Sequence, residues 1–183
     1  MGGLAIQTQR LLTPMQELRD AVILIQGARI EAVGRQSNIP IPQGYEVWDV
    51  GERIVAPGFI DIHNHGGNGY FAREGAEAVQ EISKWLVTTG TTSWLPTVGD
   101  LEGIRRVVEA IERGVDGTAV DGIHGEGPFL YPKYLPGETK EPPPLAEISV
   151  YHELLEASDG NLRMMDCSPD LPGGLELIRE IDR

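Results

Sequence analysis

Apolar and polar positions change period along this chain, and the change divides it. From residue 4 to 56 the runs LAIQTQRLL, AVILI, RIEAVG, YEVWDV and RIVAPG alternate or are β-branched, which predicts short strands. Gln26-Gly27-Ala28 reads as a hairpin turn between two of them. Ser37 to Gly44, with Pro40 and Pro42, reads as a loop, because proline removes ladder donors and fixes φ. Beyond Gly75 the spacing becomes helical: Ala76, Val79, Ile82 and Leu86 form one stripe, closed by Gly90 as a C-terminal cap. TTSWLPT follows as a strand. Asp100 then N-caps a second helix, whose stripe of Leu101, Ile104, Val107, Val108 and Ile111 ends at Gly114. AVDGIHGEGPF predicts a strand running into a glycine-rich turn. A Pro-rich loop, an acidic helix over Ser149 to Ala157, a strand over Leu162 to Cys167 and a helix from Leu171 to Arg183 complete the pattern.

Strands alternating with helices of this length predict an α/β fold of right-handed βαβ units, with a parallel sheet or barrel. Only three or four such units are present, whereas a closed (β/α)₈ barrel takes ~250 residues, so the chain supplies at most half of one. It also ends within LELIREIDR without a capping signal, and the expectation is a truncated chain.

Composition narrows the function. The 183 residues are 40% hydrophobic, enough for a sizeable core, and the formal charge of −13 comes from 28 acidic against 15 basic side chains without a basic cluster. Nucleic acid is therefore not an expected partner. A lone Cys167 excludes an internal disulfide framework, and MGGLAIQTQRLL lacks the grading of a signal peptide, so a cytoplasmic location is expected. No apolar run approaches the ~20 residues of a membrane span, and no membrane partner is expected.

The chemistry concentrates in PGFIDIHNHGGNGY, Pro57 to Tyr70. In a strand from Phe59 to His65, Asp61, His63 and His65 point to one face and Ile60 and Ile62 to the other. Imidazoles ~7 Å apart along a strand can converge on one metal ion, with Asp61 orienting one of them. The plainer alternative is two loop histidines beside a glycine turn. GIHGEGPFL, Gly122 to Leu130, places His124 and Glu126 at one strand parity, with glycines opening the backbone around the carboxylate. Glu126 is either a metal ligand or a solvated loop carboxylate; His124 reads as a packed, hydrogen-bonded side chain. In a βα chain the ends of different strands converge on one face. Two imidazoles and a carboxylate suit zinc, iron or another divalent ion, and hydrolysis is the natural reaction class.

GFIDIHNHG after a β-rich N-terminal segment resembles the amidohydrolase superfamily. GIHGEGPFL and PDLPGGLELIRE are similar to its N-acetylglucosamine-6-phosphate deacetylase branch. The resemblance implies a small β-sandwich part over residues 1–56, then over 57–183 the first part of a (β/α)₈, TIM-like metal-dependent hydrolase barrel. It implies hydrolysis of the acetamide of N-acetylglucosamine 6-phosphate, releasing acetate and the free amine. By motif match Glu126 is the principal metal ligand and His63 and His65 hold a second ion, giving one or two zinc or iron ions. The general base and the remaining metal histidines are expected beyond Arg183. The expected partners are the amino-sugar substrate and, at full length, a second copy in a homodimer. Family members carry a Gly-x-His about a dozen residues beyond the glutamate, whereas YPKYLPGETKEPPPL has no histidine. Glu138 and Lys140 there read as solvated charges. The missing histidine keeps another amidohydrolase, a cyclic amidase or a deaminase, in view, and a catalytically incomplete fragment is the alternative outside enzymes.

Among the remaining candidates, Trp48, Trp85 and Trp94 read as packing residues and His152 as solvated. Cys167 reads as a buried, inert thiol, and Asn68 and Tyr70, in a glycine-rich loop after the histidines, as lining a pocket mouth.

Overall fold

The computed structural model describes residues 2–132 and 143–183, so Glu138 and Lys140 lie outside the described residues. The chain divides into two units, Met1–Pro57 and Gly58–Arg183. In the first, β1 (Leu4–Leu12), β2 (Glu17–Gln26) and β3 (Arg29–Arg35) pair antiparallel. β2 and β3 turn at Gly27, whose φ of 58° is the left-handed value a two-residue hairpin requires, as the sequence predicts.

β4 (Glu46–Asp49) and β5 (Ile54–Val55) both pair parallel with β1, the first along Leu4–Gln7 and the second along Arg10–Leu11. The step between them is held by the buried Thr8 hydroxyl, which donates to the Arg53 carbonyl at 2.6 Å. The result is one mixed five-stranded sheet. Alternation along β2 sends Val22 and Leu24 to pack with Ala5, and Ala21 and Ile23 to pack with Leu11. Trp48 differs from expectation: it is exposed, its indole N–H donating to Glu46 at 2.7 Å.

The second unit opens with β6 (Phe59–Asn64) and a small ribbon, β7 (Gly66–Gly67) with β8 (Tyr70–Phe71). Then come α1 (Ala76–Val87), β9 (Thr91–Val98), α2 (Leu101–Arg113), β10 (Ala119–Val120), β11 (Ile123–Glu126), α3 (Ile148–Ala157), β12 (Leu162–Asp166) and α4 (Gly174–Ile181). β6 runs parallel to β9, β9 to β10 and β11 at successive levels, and β11 to β12, so spatial order follows chain order. This is the parallel α/β arrangement the periodicity predicts.

The predicted stripes of α1 and α2 form the core. Val79, Ile82, Ile104 and Val107 are buried with Trp94 and Ile123. Side chains of this kind contribute roughly 1.5–3 kcal/mol each on full burial. Asp100 caps α2 as expected, accepting the Gly103 N–H at 2.7 Å.

Three local expectations are corrected. AVDGIHGE is two strands, because the chain steps at Asp121-Gly122 from pairing with Trp94 to taking the Asn161 carbonyl. The last helix begins at Gly174 rather than Leu171, because Gly173 is left-handed (φ 79°). The stretch after the histidines is the β7–β8 hairpin, turning on Asn68 (φ 53°) and Gly69 (φ 89°), the Asn-Gly pair that suits a tight two-residue turn.

Candidate metal centre

The two histidines stand where β6 stops being regular. β9 carries Pro96 opposite Asn64, and the register with β6 slips between Asp61 and Asn64. A proline offers no N–H to the ladder. Asn64 instead donates its own N–H to the Thr97 hydroxyl at 2.8 Å. An extra residue in one strand of a pair bends it and re-aims its side chains. Strict alternation therefore does not describe this stretch, and β6 ends at Asn64, leaving His65 at the root of the β7–β8 hairpin. There its carbonyl accepts the Ala72 N–H at 2.8 Å.

Asp61 does not bond a histidine ring in the described residues. Its carboxylate accepts the His63 main-chain N–H at 3.3 Å and the Asn64 side-chain amide at 2.7 Å, and Asn64 in turn accepts the Gly66 N–H. The Asp61–Asn64 pair thus fixes the backbone from which both imidazoles project.

Glu126 ends β11, and its neighbours leave little room. A Cβ on Gly99 would collide with the Glu126 carbonyl, and Gly127 beyond it has φ 106°. Its carboxylate, 30% exposed, meets both imidazoles: Oε2 lies 2.9 Å from His65 Nε2 and Oε1 lies 3.7 Å from His63 Nε2. The two Nε2 atoms are 3.3 Å apart. Donors of a tetrahedral zinc at ~2.0–2.1 Å stand about 3.3 Å from one another. The three observed separations scatter around that edge, so His63, His65 and Glu126 fit a divalent ion.

His124 is buried, as its sequence reading has it, at 2% exposure. Its Nδ1 lies 2.8 Å from the Ile62 carbonyl, and its ring stands edge-on to His63 with centroids 4.5 Å apart. Sequence reasoning missed Asp166. The register of β11 on β12 sets it opposite Glu126, with its Oδ1 3.1 Å from His124 Nε2. Its one signal in the sequence is its position at the end of a strand, beside Cys167.

Cys167 is partly buried, and desolvation first, then the Asp166 charge, push its thiol above the ordinary value, which disfavours the thiolate. His152 is exposed and reaches Glu180 on α4 at 3.0 Å. Trp94 is fully buried, donating to the Ser83 hydroxyl at 2.9 Å. Trp85 is partly buried against the same core, and Tyr70 is exposed on the ribbon.

The chain is 28% identical over 186 residues to N-acetylgalactosamine-6-phosphate deacetylase of Escherichia coli O157:H7, covering 96% of this chain and 47% of the relative. It is 26% identical over 189 residues to N-acetylglucosamine-6-phosphate deacetylase of Bacillus subtilis, covering 98% and 48%. It resembles the amino-sugar-phosphate deacetylases along nearly its whole length. The crystal structure of N-acetyl-D-glucosamine-6-phosphate deacetylase from Mycobacterium smegmatis superposes with a TM-score of 0.77 at 27% identity, over 98% of this chain and 51% of that one. The chain spans about half the length of the curated relatives it matches. No family model matches it. Among the described residues no helix is long and apolar enough to cross a membrane.

Proposed function

We propose that this chain is the first part of a metal-dependent amidohydrolase that removes the acetyl group from an N-acetylated hexosamine 6-phosphate, N-acetylglucosamine 6-phosphate first. The observation that carries this is the convergence of His63, His65 and Glu126 at the ends of parallel strands. It occurs in a chain similar to such deacetylases over 96–98% of its length. The sequential parallel order β6, β9, β10/β11, β12, with a helix after each, supports residues 57–183 as the opening strands of a (β/α)₈ barrel. The mixed sheet over 1–56 supports a share of a β-sandwich.

In this reading His63 and His65 present neutral Nε2 lone pairs and Glu126 a carboxylate to one or two zinc or iron ions. Such an ion polarises a carbonyl and acidifies water. Asp61 and Asn64 hold the backbone so that the imidazoles reach the ion without reorganising. The general base and the phosphate-binding groups belong to strands beyond Arg183, and the working protein is a cytoplasmic homodimer.

The test is acetate release by protein carrying all the barrel strands, offered the gluco and galacto 6-phosphates. Activity is expected with Zn²⁺ or Fe²⁺, lost to a chelator and restored by metal. Absence of release from every N-acetylated amino sugar, with metal bound, would remove the substrate assignment.

A further inference from the structure

We propose that His124 and Asp166 form a second cation position beside His63, separate from the one that His63, His65 and Glu126 share; this rests on the reading of those three as ligands of a divalent ion. The far side of the His124 ring fixes its tautomer. A carbonyl can only accept, so the Nδ1 lying 2.8 Å from the Ile62 carbonyl carries the proton. In the neutral ring Nε2 is then a bare lone pair. It is buried and, among the described residues, has no hydrogen-bond partner, although Asp166 Oδ1 stands 3.1 Å away. The direction of that contact, rather than its length, fails the requirement of a hydrogen bond.

Two electron-rich atoms at this distance repel unless a positive charge lies with them. A metal ion sits off the line between them, at the apex above both donors. The 3.1 Å separation lies close to the donor edge of about 3.3 Å around a tetrahedral ion.

A third donor is at hand. Ligand atoms of His63, His124 and Asp166 all lie within 4.8 Å of one another. His63 stands edge-on to both neighbouring rings, 5.2 Å from His65 and 4.5 Å from His124. One ring nitrogen holds one ion, so His63 serves either position and water completes the other. The fold brings the new pair together by register. His124 and Glu126 alternate along β11, Met164 and Asp166 along β12, and Glu126 faces Asp166 across the ladder. Nitrogen and oxygen donors in this number suit Zn²⁺ or a similar borderline ion.

The experiment is Zn²⁺ binding to the metal-free protein, followed by calorimetry and by metal content after gel filtration. Wild type is expected to bind two equivalents. Asp166→Asn, at a half-exposed strand end, is expected to bind one. The His65→Ala/Glu126→Gln pair is expected to keep one, and that ion is lost when Asp166→Asn is added. His124→Gln, checked by its circular dichroism melt, is expected to behave as Asp166→Asn; if it does not fold, Asp166→Asn decides alone. One equivalent in both wild type and Asp166→Asn, with equal affinity, overturns the second position while leaving the first intact. One equivalent in wild type, weakened by either set of substitutions, means a single shared ion and also overturns it. No binding to wild type removes both readings.

Discussion

At the scale of single residues, the carboxylate of Glu126 is the group on which the candidate centre depends, since among the described residues it alone meets the Nε2 atoms of both His63 and His65. Glu126→Gln keeps the shape and removes the charge. Altering partners that merely orient ligands typically costs about 10–100-fold in metal affinity. Loss of this ligand is expected to cost at least the upper end of that range for the first Zn²⁺, read by calorimetry. Tyr45 gives a test that needs no metal. Its hydroxyl donates to Glu31 at 2.7 Å, and this hydrogen bond first, then desolvation and the Glu31 charge, raise its pKa above the ordinary 10.0. Because the folded value lies above the unfolded one, whatever the bond contributes is present below pH 10 and is lost as pH climbs through the folded value. In a tyrosinate absorbance titration, Glu31→Gln is expected to bring Tyr45 down toward its ordinary range.

At the scale of elements, what was legible in the sequence was whatever repeats locally. The stripes of α1 and α2 and the Asp100 cap need only their own neighbours, and they lie where the periodicity puts them. Asp100→Ala leaves the Gly103 N–H without its acceptor and is expected to cost about 0.5–2 kcal/mol, measured by denaturant midpoint. Features set by a second strand were not legible. Pro96 on β9 dictates the slip that ends β6 at Asn64, yet nothing within GFIDIHNHG announces it. The same holds for the candidate site. His63, His65 and Glu126 stand out as residue types at telling spacings. The approach of Asp166 to His124 depends on how β12 registers against β11, with an irregularity between Ile123 and His124 that no local pattern encodes. The Asn68-Gly69 hairpin was readable in principle, from its dipeptide, but the surrounding glycines mask the strands on either side.

At the scale of the whole molecule, each unit leaves apolar surface open among the described residues. Among the described residues β6 pairs only with β9, and it presents Phe59, Ile60 and Ile62 exposed, at 70%, 68% and 50%. An edge strand with such side chains invites pairing with another chain. The protein as it stands is expected to associate with rising concentration in light-scattering chromatography. The double substitution Ile60→Lys/Ile62→Lys is expected to shift it toward the monomer; identical profiles would exclude this edge as the cause.

The β7–β8 turn carries a last consequence, one of chemical ageing. Asn followed by Gly is the dipeptide most prone to close into a succinimide and reopen as aspartate or isoaspartate. Here it forms the tip of a hairpin rooted at His65, with open space around Gly69. Aspartate tolerates the left-handed φ of Asn68, but isoaspartate lengthens the main chain by one methylene and cannot keep a two-residue turn in register. Stored protein is therefore expected to develop a form with one more negative charge than the present −13, resolved by anion exchange and placed at Asn68 by peptide mass analysis. The isoaspartyl fraction is expected to bind Zn²⁺ more weakly than fresh protein, so a preparation's age enters every metal titration made on it.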